Sequence, residues 1–441
     1  MASILLKNLC FLDFAGEKPF FHSSKDLIIE NGKIIKISEP ADLDTHDHPG
    51  EVIDCTKFAG IPGMINTHCH SPMVLFRGLG CDVIASDWFN KVIFPLESNL
   101  TPEDVFWGAK LALCEMIENG ITCFADHYFF MEKIAQAVEE SGIRAELAQC
   151  IFEHDGPKAL DSALQFTLDY RTAAEGRVHT WLGPHSPYLC SPEYLQKIAG
   201  IGQKHGLSSH LHVSETKEQV QLSFAKYGKS PIRIVAESGL LEQPAIFAHC
   251  LYPQEDDFEL LSGKKVGVAH APVTYMSLAM GNVDLRKYAK IGIPLGLATD
   301  GAVSSQTLDL FSQMRATALS QKQYRDDATA MPLEELLCHT FKSAAELIRQ
   351  PALGQIKEGA PADIVLLDQK ASSQSPNNNP LANLVYMTQS RDVHTVICAG
   401  KIIYQAHEHK TLDAEKIKAE VNTRLERLKR VSSARRAHYE A

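Results

Sequence analysis

The sequence lacks three features that would assign it to a more specialised class of protein. No apolar run reaches the roughly 18 residues that a membrane-spanning helix needs, so we expect no membrane partner. The charge balance is acidic, with a formal net charge of -11, which argues against a nucleic-acid partner because such proteins present basic surfaces. The 11 cysteines are scattered singly with no CxxC pair, which predicts reduced thiols and a cytoplasmic protein.

Both ends of the 441-residue chain are rich in short β-type segments. In residues 1–60, Asn31-Gly32 separates two apolar runs and predicts a hairpin turn. Residues 356–410 have the same character, and Ala399-Gly400-Lys401 resembles that turn. We therefore predict that residues 1–60 and 356–410 build one small composite β-sandwich domain. Two unrelated terminal hairpins are the alternative.

The middle of the chain, residues 61–355, alternates short β-branched segments with amphipathic helical ones. Eight strand candidates can be counted: GMINTHCH, ITCFADHYF, RAELAQCIF, VHTWLGPHSP, LSSHLHVSE, AIFAHCLY, VGVAHAP and IPLGLATDG. Eightfold alternation of strand and helix predicts an α/β fold, a (β/α)8 barrel that forms the catalytic domain.

The C-terminal segment, residues 411–441, is predicted to be helical. One apolar stripe along it consists of Ile417, Val421, Leu425 and Leu428. Its basic residues are Arg424, Arg427, Lys429, Arg430, Arg435 and Arg436. A solvated helix face explains these charges better than a surface for an anion or a partner.

Ionisable residues stand at the ends of many predicted strands. They are His68 and His70 on the first strand, His185 on the fourth, His212 and Glu215 on the fifth, His249 on the sixth, His270 on the seventh and Asp300 on the eighth. Active sites of these barrels lie at the C-terminal ends of the strands, so we expect these side chains to meet in one site.

The pair His68 and His70 suggests a metal. Residues i and i+2 of a strand point to the same face, so both imidazoles can reach one ion. With His212 and Asp300 they supply three imidazoles and one carboxylate, a set suited to Zn²⁺, with Fe²⁺ or Mn²⁺ as alternatives. No lysine stands at the fourth strand end to bridge two metals. We therefore predict one divalent metal ion.

Three residues are candidates for proton transfer beside such a metal. Glu215 follows His212 closely and could take a proton from the attacking water. His249 could hold that water, and Asp300 could both bind the metal and relay a proton.

Several segments together resemble the amidohydrolase superfamily. They are PGMINTHCHSPMVLFRGLG, LGPHSPYLCSPEYL, HLHVSETKEQV, AHC and LGLATDG. Within the superfamily they are most similar to the methylthioadenosine/S-adenosylhomocysteine deaminase and triazine chlorohydrolase branch, over nearly the whole chain. The resemblance implies that His68, His70, His212 and Asp300 bind the metal. It also implies that Glu215 shuttles protons and that His249 orients the water.

The same resemblance implies two substrate-binding residues. His185, in the GPHSPY motif, would contact the substrate. Glu97, in Pro95-Leu96-Glu97, would bind ribose hydroxyls, and a carboxylate can accept hydrogen bonds from both. The resemblance further implies a homo-oligomer.

One segment departs from the family pattern. Where the family commonly has a Ser-Asn pair after the seventh strand, this chain has Thr274-Tyr275. The departure leaves the exact substrate open. We hypothesise that Tyr275 and Met276 give the pocket a bulkier or more aromatic wall.

These observations predict a metal-dependent aminohydrolase that deaminates an adenine nucleoside by attack of a metal-bound hydroxide and releases ammonia. The nucleoside would be of the 5'-methylthioadenosine, S-adenosylhomocysteine or adenosine type. One alternative is a deaminase of a free purine, a pterin or an aminotriazine, and another is a triazine chlorohydrolase. A non-catalytic barrel that binds or scaffolds other molecules is the alternative from a different class, although the predicted ligand set is complete.

Overall fold

The computed structural model describes residues 3–40, 50–84 and 87–432. Its strands are β1 (Ser3–Ala15), β2 (Lys18–Phe21), β3 (Lys25–Glu30), β4 (Lys33–Ser38), β5 (Glu51–Asp54), β6 (Phe58–Pro62), β7 (Met64–Cys69), β8 (Ile121–Tyr128), β9 (Arg144–Ile151), β10 (Val178–Pro184), β11 (Ser209–Val213), β12 (Ala245–His249), β13 (Val266–His270), β14 (Leu295–Leu297), β15 (Ile364–Asp368), β16 (Val393–Cys398), β17 (Lys401–Gln405) and β18 (Glu408–His409).

The longer α-helices are Pro102–Glu118, Met131–Ser141, Pro157–Asp169, Pro192–His205, Lys217–Tyr227, Leu310–Arg325 and Ala414–Ser432. Shorter ones are Phe94–Glu97, Ala173–Gly176, Pro231–Glu237, Glu255–Leu261, Pro272–Ser277, Leu285–Lys290, Leu333–Cys338, Ala344–Leu347 and Pro380–Ala382. Three π-helical segments cover Trp88–Ile93, His339–Ser343 and Asn383–Met387. Short 3₁₀ turns lie at Ser71–Phe76, Glu153–Asp155, Leu240–Glu242, Ser372–Gln374 and Ser390–Asp392. Within the described ranges, no helix combines the length and the apolar character needed to cross a bilayer.

Strands β7 to β14 form one parallel sheet in chain order. The sheet closes on itself where β7 meets the end of β14. There Cys69 and Asp300 form a parallel bridge, and the Asp300 amide donates to the His68 carbonyl at 3.0 Å. The Thr67 hydroxyl adds a bond to the Leu297 carbonyl at 2.9 Å. All eight predicted strands are present, and the predicted (β/α)8 barrel is confirmed.

The other strands form a mixed sheet that draws on both chain ends, in the order β18-β17-β16-β15-β6-β1-β3-β4. Strand β6 joins the two halves, because it pairs in parallel with β1 and antiparallel with β15. This sheet has its own apolar cluster, which includes Leu6, Phe11 and Leu366. The alternative of two unrelated terminal hairpins is therefore wrong. Strand β6 runs to Pro62, slightly past residue 60.

The two predicted hairpin turns are present and touch each other. Asn31 and Gly32 join β3 to β4 with φ of 50° and 79°, and Ala399 and Gly400 join β16 to β17 with φ of 49° and 72°. Positive φ at both central residues is the geometry of a type I′ turn. A Cβ on Gly400 would lie 2.6 Å from the Cα of Gly32, so only glycine fits there.

The C-terminal helix, Ala414–Ser432, packs its predicted apolar stripe against helix Pro102–Glu118. Ile417, Val421 and Leu428 are buried, and Leu425 is partly buried. The remainder of the predicted helix, residues 433–441 with Arg435 and Arg436, lies outside the described residues.

Two of the basic residues on this helix are not simply solvated, which corrects that expectation. Arg427 pairs with the buried Asp104 and also donates to the Asn99 carbonyl. Arg424 bonds to Glu420 at 2.7 Å and lies over the Trp107 ring. Asp104 already caps helix Pro102–Glu118, so Arg427 supplies the countercharge that a buried carboxylate requires.

Candidate active site

The structure brings four predicted metal ligands together at the C-terminal mouth of the barrel. His68 is the second-last residue of β7, His70 comes just after that strand, His212 lies on β11, and Asp300 follows β14. The Nε2 atoms of His70 and His212 are 3.2 Å apart. Oδ1 of Asp300 lies 3.4 Å from Nε2 of His70 and 3.7 Å from Nε2 of His68.

Backbone carbonyls fix the orientation of two of these rings. Nδ1 of His70 donates to the His127 carbonyl at 2.6 Å, and Nδ1 of His212 donates to the His185 carbonyl at 3.0 Å. A carbonyl only accepts, so each Nδ1 carries the hydrogen. The Nε2 lone pairs are therefore left free to face one another at the centre.

This centre fits a divalent metal. Nε2 of His68 is buried and has no hydrogen-bond partner among the described residues. Two imidazole lone pairs at 3.2 Å repel each other unless a cation lies between them. Burial and the neighbouring imidazoles hold the pKa of His68 far below its ordinary value and lower that of His212 to about 4, so both rings are neutral, as metal ligands must be. Three nitrogens and one carboxylate oxygen suit Zn²⁺.

The backbone is strained at three of the strand ends around this centre. Ser214, His249 and Asp300 have φ of 50°, 75° and 58°. Such left-handed conformations are costly for residues other than glycine, and they concentrate at functional sites where the surrounding structure enforces them. His249 and Asp300 both line the cleft at the mouth of the barrel.

Glu215 lies beside the centre in a fixed orientation. Its Oε2 accepts hydrogen bonds from the Tyr188 hydroxyl at 2.6 Å and from Nε2 of Gln219 at 3.3 Å. Its Oε1 faces Nε2 of His249 at 3.8 Å. Burial lowers the pKa of His249 to about 4, so the imidazole is neutral and can either donate or accept a hydrogen bond.

His185 forms one wall of the cleft above the centre. Its ring stacks on His212 with centroids 4.6 Å apart, and Phe152 stacks on its other side at 4.9 Å. Burial holds the pKa of His185 well below its ordinary value. A neutral ring held in this way presents a hydrogen-bonding edge to whatever occupies the cleft.

Glu97 lines the same cleft from the segment that follows the first barrel strand. The Tyr128 hydroxyl donates to its Oε1 at 2.6 Å. Removal from water raises the pKa of Glu97 to about 7, against the opposing effect of the Tyr128 hydrogen bond. The carboxylate therefore changes charge near neutral pH.

Four residues near the site were not predicted from the sequence: His127, His210, Tyr128 and Tyr188. Nδ1 of His68 shares a 2.8 Å hydrogen bond with Nε2 of His210, and His127 lies within ligand distance of His70 and His212. The signals for the two histidines were present, because His210 and His212 repeat the i, i+2 pattern and His127 stands at a strand end. Tyr188 is the last residue of the GPHSPY motif, although nothing in that motif indicates a carboxylate partner, and no local pattern marks Tyr128.

The hypothesis that Tyr275 and Met276 line the pocket is wrong. Neither side chain is among the residues that line the cleft. Tyr275 is buried behind it, edge-on to His249 and His270, and its hydroxyl accepts from the Ala271 amide at 2.8 Å. Met276 is 56% exposed. The Thr274 hydroxyl instead bonds to Ser304, which donates to Asp300.

Comparison with known proteins agrees with this geometry. The sequence profile of the amidohydrolase family matches residues 60–403, most of the chain. The chain therefore belongs to the amidohydrolase family, and the predicted class, a hydrolase with a divalent-metal centre, is confirmed.

One protein of similar sequence and two solved structures of similar fold are more specific matches than the family profile. The chain is 36% identical over 430 residues to 5-methylthioadenosine/S-adenosylhomocysteine deaminase from Pelotomaculum thermopropionicum, covering 97% of this chain and 99% of that protein. An adenosine deaminase from Xanthomonas campestris with bound zinc is similar with a TM-score of 0.91 and 26% identity, over 97% of this chain and 99% of that one. Atrazine chlorohydrolase from Arthrobacter aurescens TC1, complexed with zinc, shares the fold, with a TM-score of 0.86 and 22% identity, over 96% of this chain and 100% of that one.

Proposed function

We propose that this protein deaminates an adenine nucleoside of the 5'-methylthioadenosine type and releases ammonia. One observation carries the proposal: the cleft contains two carboxylates. Glu215 lies beside the histidine centre, where it can transfer protons, and Glu97 is hydrogen-bonded to Tyr128. A carboxylate that can accept two hydroxyl protons suits a ribose, which a free base or a triazine lacks. The names of the deaminase relatives support the same activity.

Zinc, held by His68, His70, His212 and Asp300, would supply Lewis-acid activation of water. Glu215 takes a proton from the attacking water with Oε1, the oxygen that its Tyr188 bond leaves available. It then gives a proton to the ring nitrogen next to the carbon under attack.

His249 and Asp300 complete the proposed proton transfers. His249 faces Oε1 of Glu215 and donates a hydrogen bond to the oxygen that adds to the ring carbon. Asp300, fixed by Ser304 at 3.1 Å, helps to move a proton to the departing amine. His185, which lines the same cleft as Glu97, binds the substrate, and the neutral state of its ring avoids placing a charge against the base.

The proposal is tested by measuring ammonia release by zinc-loaded enzyme. Adenosine, methylthioadenosine, S-adenosylhomocysteine, free adenine, guanine and an aminotriazine form the panel. We expect turnover of adenosine and methylthioadenosine and a loss of about 10²–10⁴-fold in kcat for Glu215→Gln. Glu218→Gln is the matched control, because Glu218 is an exposed glutamate three residues further along. Ammonia from the free bases alone, or an active Glu215→Gln variant with normal zinc content, contradicts the proposal.

We also propose that the protein acts as a cytoplasmic homo-oligomer. All eleven cysteines are free and most are buried, which fits a reducing compartment. The exposed side chains of Leu319 and Tyr324 on helix Leu310–Arg325 are of the kind that a subunit interface covers. Light scattering of the purified protein tests the oligomer, and a monomeric mass contradicts it.

A further inference from the structure

We infer that the cleft selects adenine nucleosides whose 5' substituent is apolar and uncharged, such as a methylthio group, and rejects those that end in an amino acid, such as S-adenosylhomocysteine. The inference rests on the proposed function and names the substrate of the same site. It depends on which residues line the outer part of the cleft, beyond the carboxylate proposed to bind ribose.

Aromatic side chains dominate the cleft around Glu97. Phe89 and Phe94 stack on each other within the segment that carries Glu97, with ring centroids 6.0 Å apart. Phe129 stacks on Tyr128, the hydrogen-bond partner of Glu97, at 4.1 Å. Because these rings line the cleft beside Glu97, we place the 5' substituent of a ribose held by Glu97 among them. A thioether makes favourable contacts with aromatic edges, so a methylthio group fits this wall.

The described residues that line the cleft offer no lysine or arginine to receive a carboxylate. Among the described residues that line it, the charged side chains are Glu97, Glu215 and Asp300, all acidic, and none is lysine or arginine. Lys91, on the same segment as Phe89, is 70% exposed and pairs with Asp87 at 2.8 Å. A carboxylate brought into this aromatic and acidic surrounding would lose its hydration without gaining a partner.

The amino-acid end of S-adenosylhomocysteine carries a carboxylate and an ammonium group and is longer than the methyl group of methylthioadenosine, so the test separates charge from size. S-adenosylhomocysteine is compared with methylthioadenosine and with 5'-butylthioadenosine, an apolar nucleoside whose 5' chain has similar length. We expect kcat/KM to be similar for the two alkylthio nucleosides and at least about 100-fold lower for S-adenosylhomocysteine, because an unpaired charge is a strong basis for discrimination.

A gain-of-function variant tests the same point independently. Phe89→Arg adds a cation at the half-buried aromatic wall, and Phe89→Gln removes the ring without adding charge. We expect Phe89→Arg to raise kcat/KM for S-adenosylhomocysteine by at least about tenfold relative to Phe89→Gln. Circular dichroism and zinc content show whether both variants are folded and loaded.

The outcomes are distinct. Equal turnover of S-adenosylhomocysteine and methylthioadenosine by the wild-type enzyme overturns the inference but leaves the proposed function intact. Rejection of both S-adenosylhomocysteine and 5'-butylthioadenosine also overturns it, since size would then decide. No ammonia from any nucleoside, including adenosine, overturns the proposed function and the inference with it.

Discussion

The hydroxyl of Tyr188 lies 2.6 Å from Oε2 of Glu215, while the other oxygen of that carboxylate faces His249. The tyrosine thus fixes which oxygen of Glu215 is left facing His249. Burial raises the pKa of the Tyr188 hydroxyl far above its ordinary value, so it remains a hydrogen-bond donor throughout the working range of pH.

We expect Tyr188→Phe to lower kcat about tenfold, with unchanged zinc content, because a hydrogen bond to a charged group contributes ~1.5 kcal/mol. Steady-state ammonia release measures this effect. Tyr194→Phe is the matched control, since the Tyr194 hydroxyl has no hydrogen-bond partner among the described residues. An unchanged kcat in Tyr188→Phe would show that Glu215 is positioned without the tyrosine.

His210 is expected to control zinc affinity, although it does not point at the metal position. Its Nε2 holds Nδ1 of His68 at 2.8 Å, which directs Nε2 of His68 inward. Loss of such an outer partner typically weakens metal binding about 10–100-fold. We therefore expect His210→Leu to weaken zinc binding by that factor, measured by competition with a chelator. His210→Gln, which keeps a polar atom near the Nε2 position, should restore much of the affinity. Equal affinities in all three proteins would disprove this role.

The protonation state of Glu97 should make the KM for the substrate depend on pH. Its pKa is raised to about 7, so the carboxyl is mostly protonated at pH 6 and mostly ionised at pH 8. Only the ionised form accepts two hydroxyl protons with full strength, and we expect KM for methylthioadenosine to fall about tenfold between those values. Glu97→Gln should have a high KM that is flat over this range. A wild-type KM that rises with pH would contradict the assignment of Glu97 to the ribose.

Gly400 is expected to be irreplaceable for stability. Alanine there would have an unfavourable positive φ and would place its Cβ 2.6 Å from the Cα of Gly32. We expect Gly400→Ala to lower the free energy of unfolding by about 2–3 kcal/mol, measured by urea unfolding. At Gly16 the φ is similarly positive, at 65°, but a Cβ would meet nothing within 4 Å. Gly16→Ala should therefore cost only about 1 kcal/mol, and similar losses for both variants would rule out the turn contact.

The parts of the fold that could be predicted from the sequence are those that a local pattern encodes. Strand periodicity located the barrel, and the i, i+2 spacing of His68 and His70 fixed which face they share. Asn31-Gly32 encoded its turn because few residue pairs tolerate positive φ twice in succession. The bounds assigned to the domains and the roles assigned to the site residues stay predictions.

The features that could not be predicted from the sequence depend on how side chains meet in the folded chain, often between segments far apart in sequence. Arg427 is paired with Asp104, more than 300 residues away, and the sequence shows only that both are charged. Tyr128 and Tyr188 carry no pattern that separates a carboxylate-binding tyrosine from a core one. Tyr275 turned inward because helix Pro272–Ser277 brings its hydroxyl back to the Ala271 amide, a local geometry that composition does not reveal.

The pairing of β6 with β15 has a consequence for synthesis. Pro62 lies opposite Ile364 in the ladder, about 300 residues later, so at ~5–20 residues per second the ribosome needs ~15–60 s to supply the missing neighbour. Throughout that interval the emerging N-terminal strands present an open edge, the kind of surface on which nascent chains aggregate. The N-terminal strands therefore stay unprotected until the strands from β15 onward are synthesised. Slow translation of the barrel prolongs the exposure of their open edge.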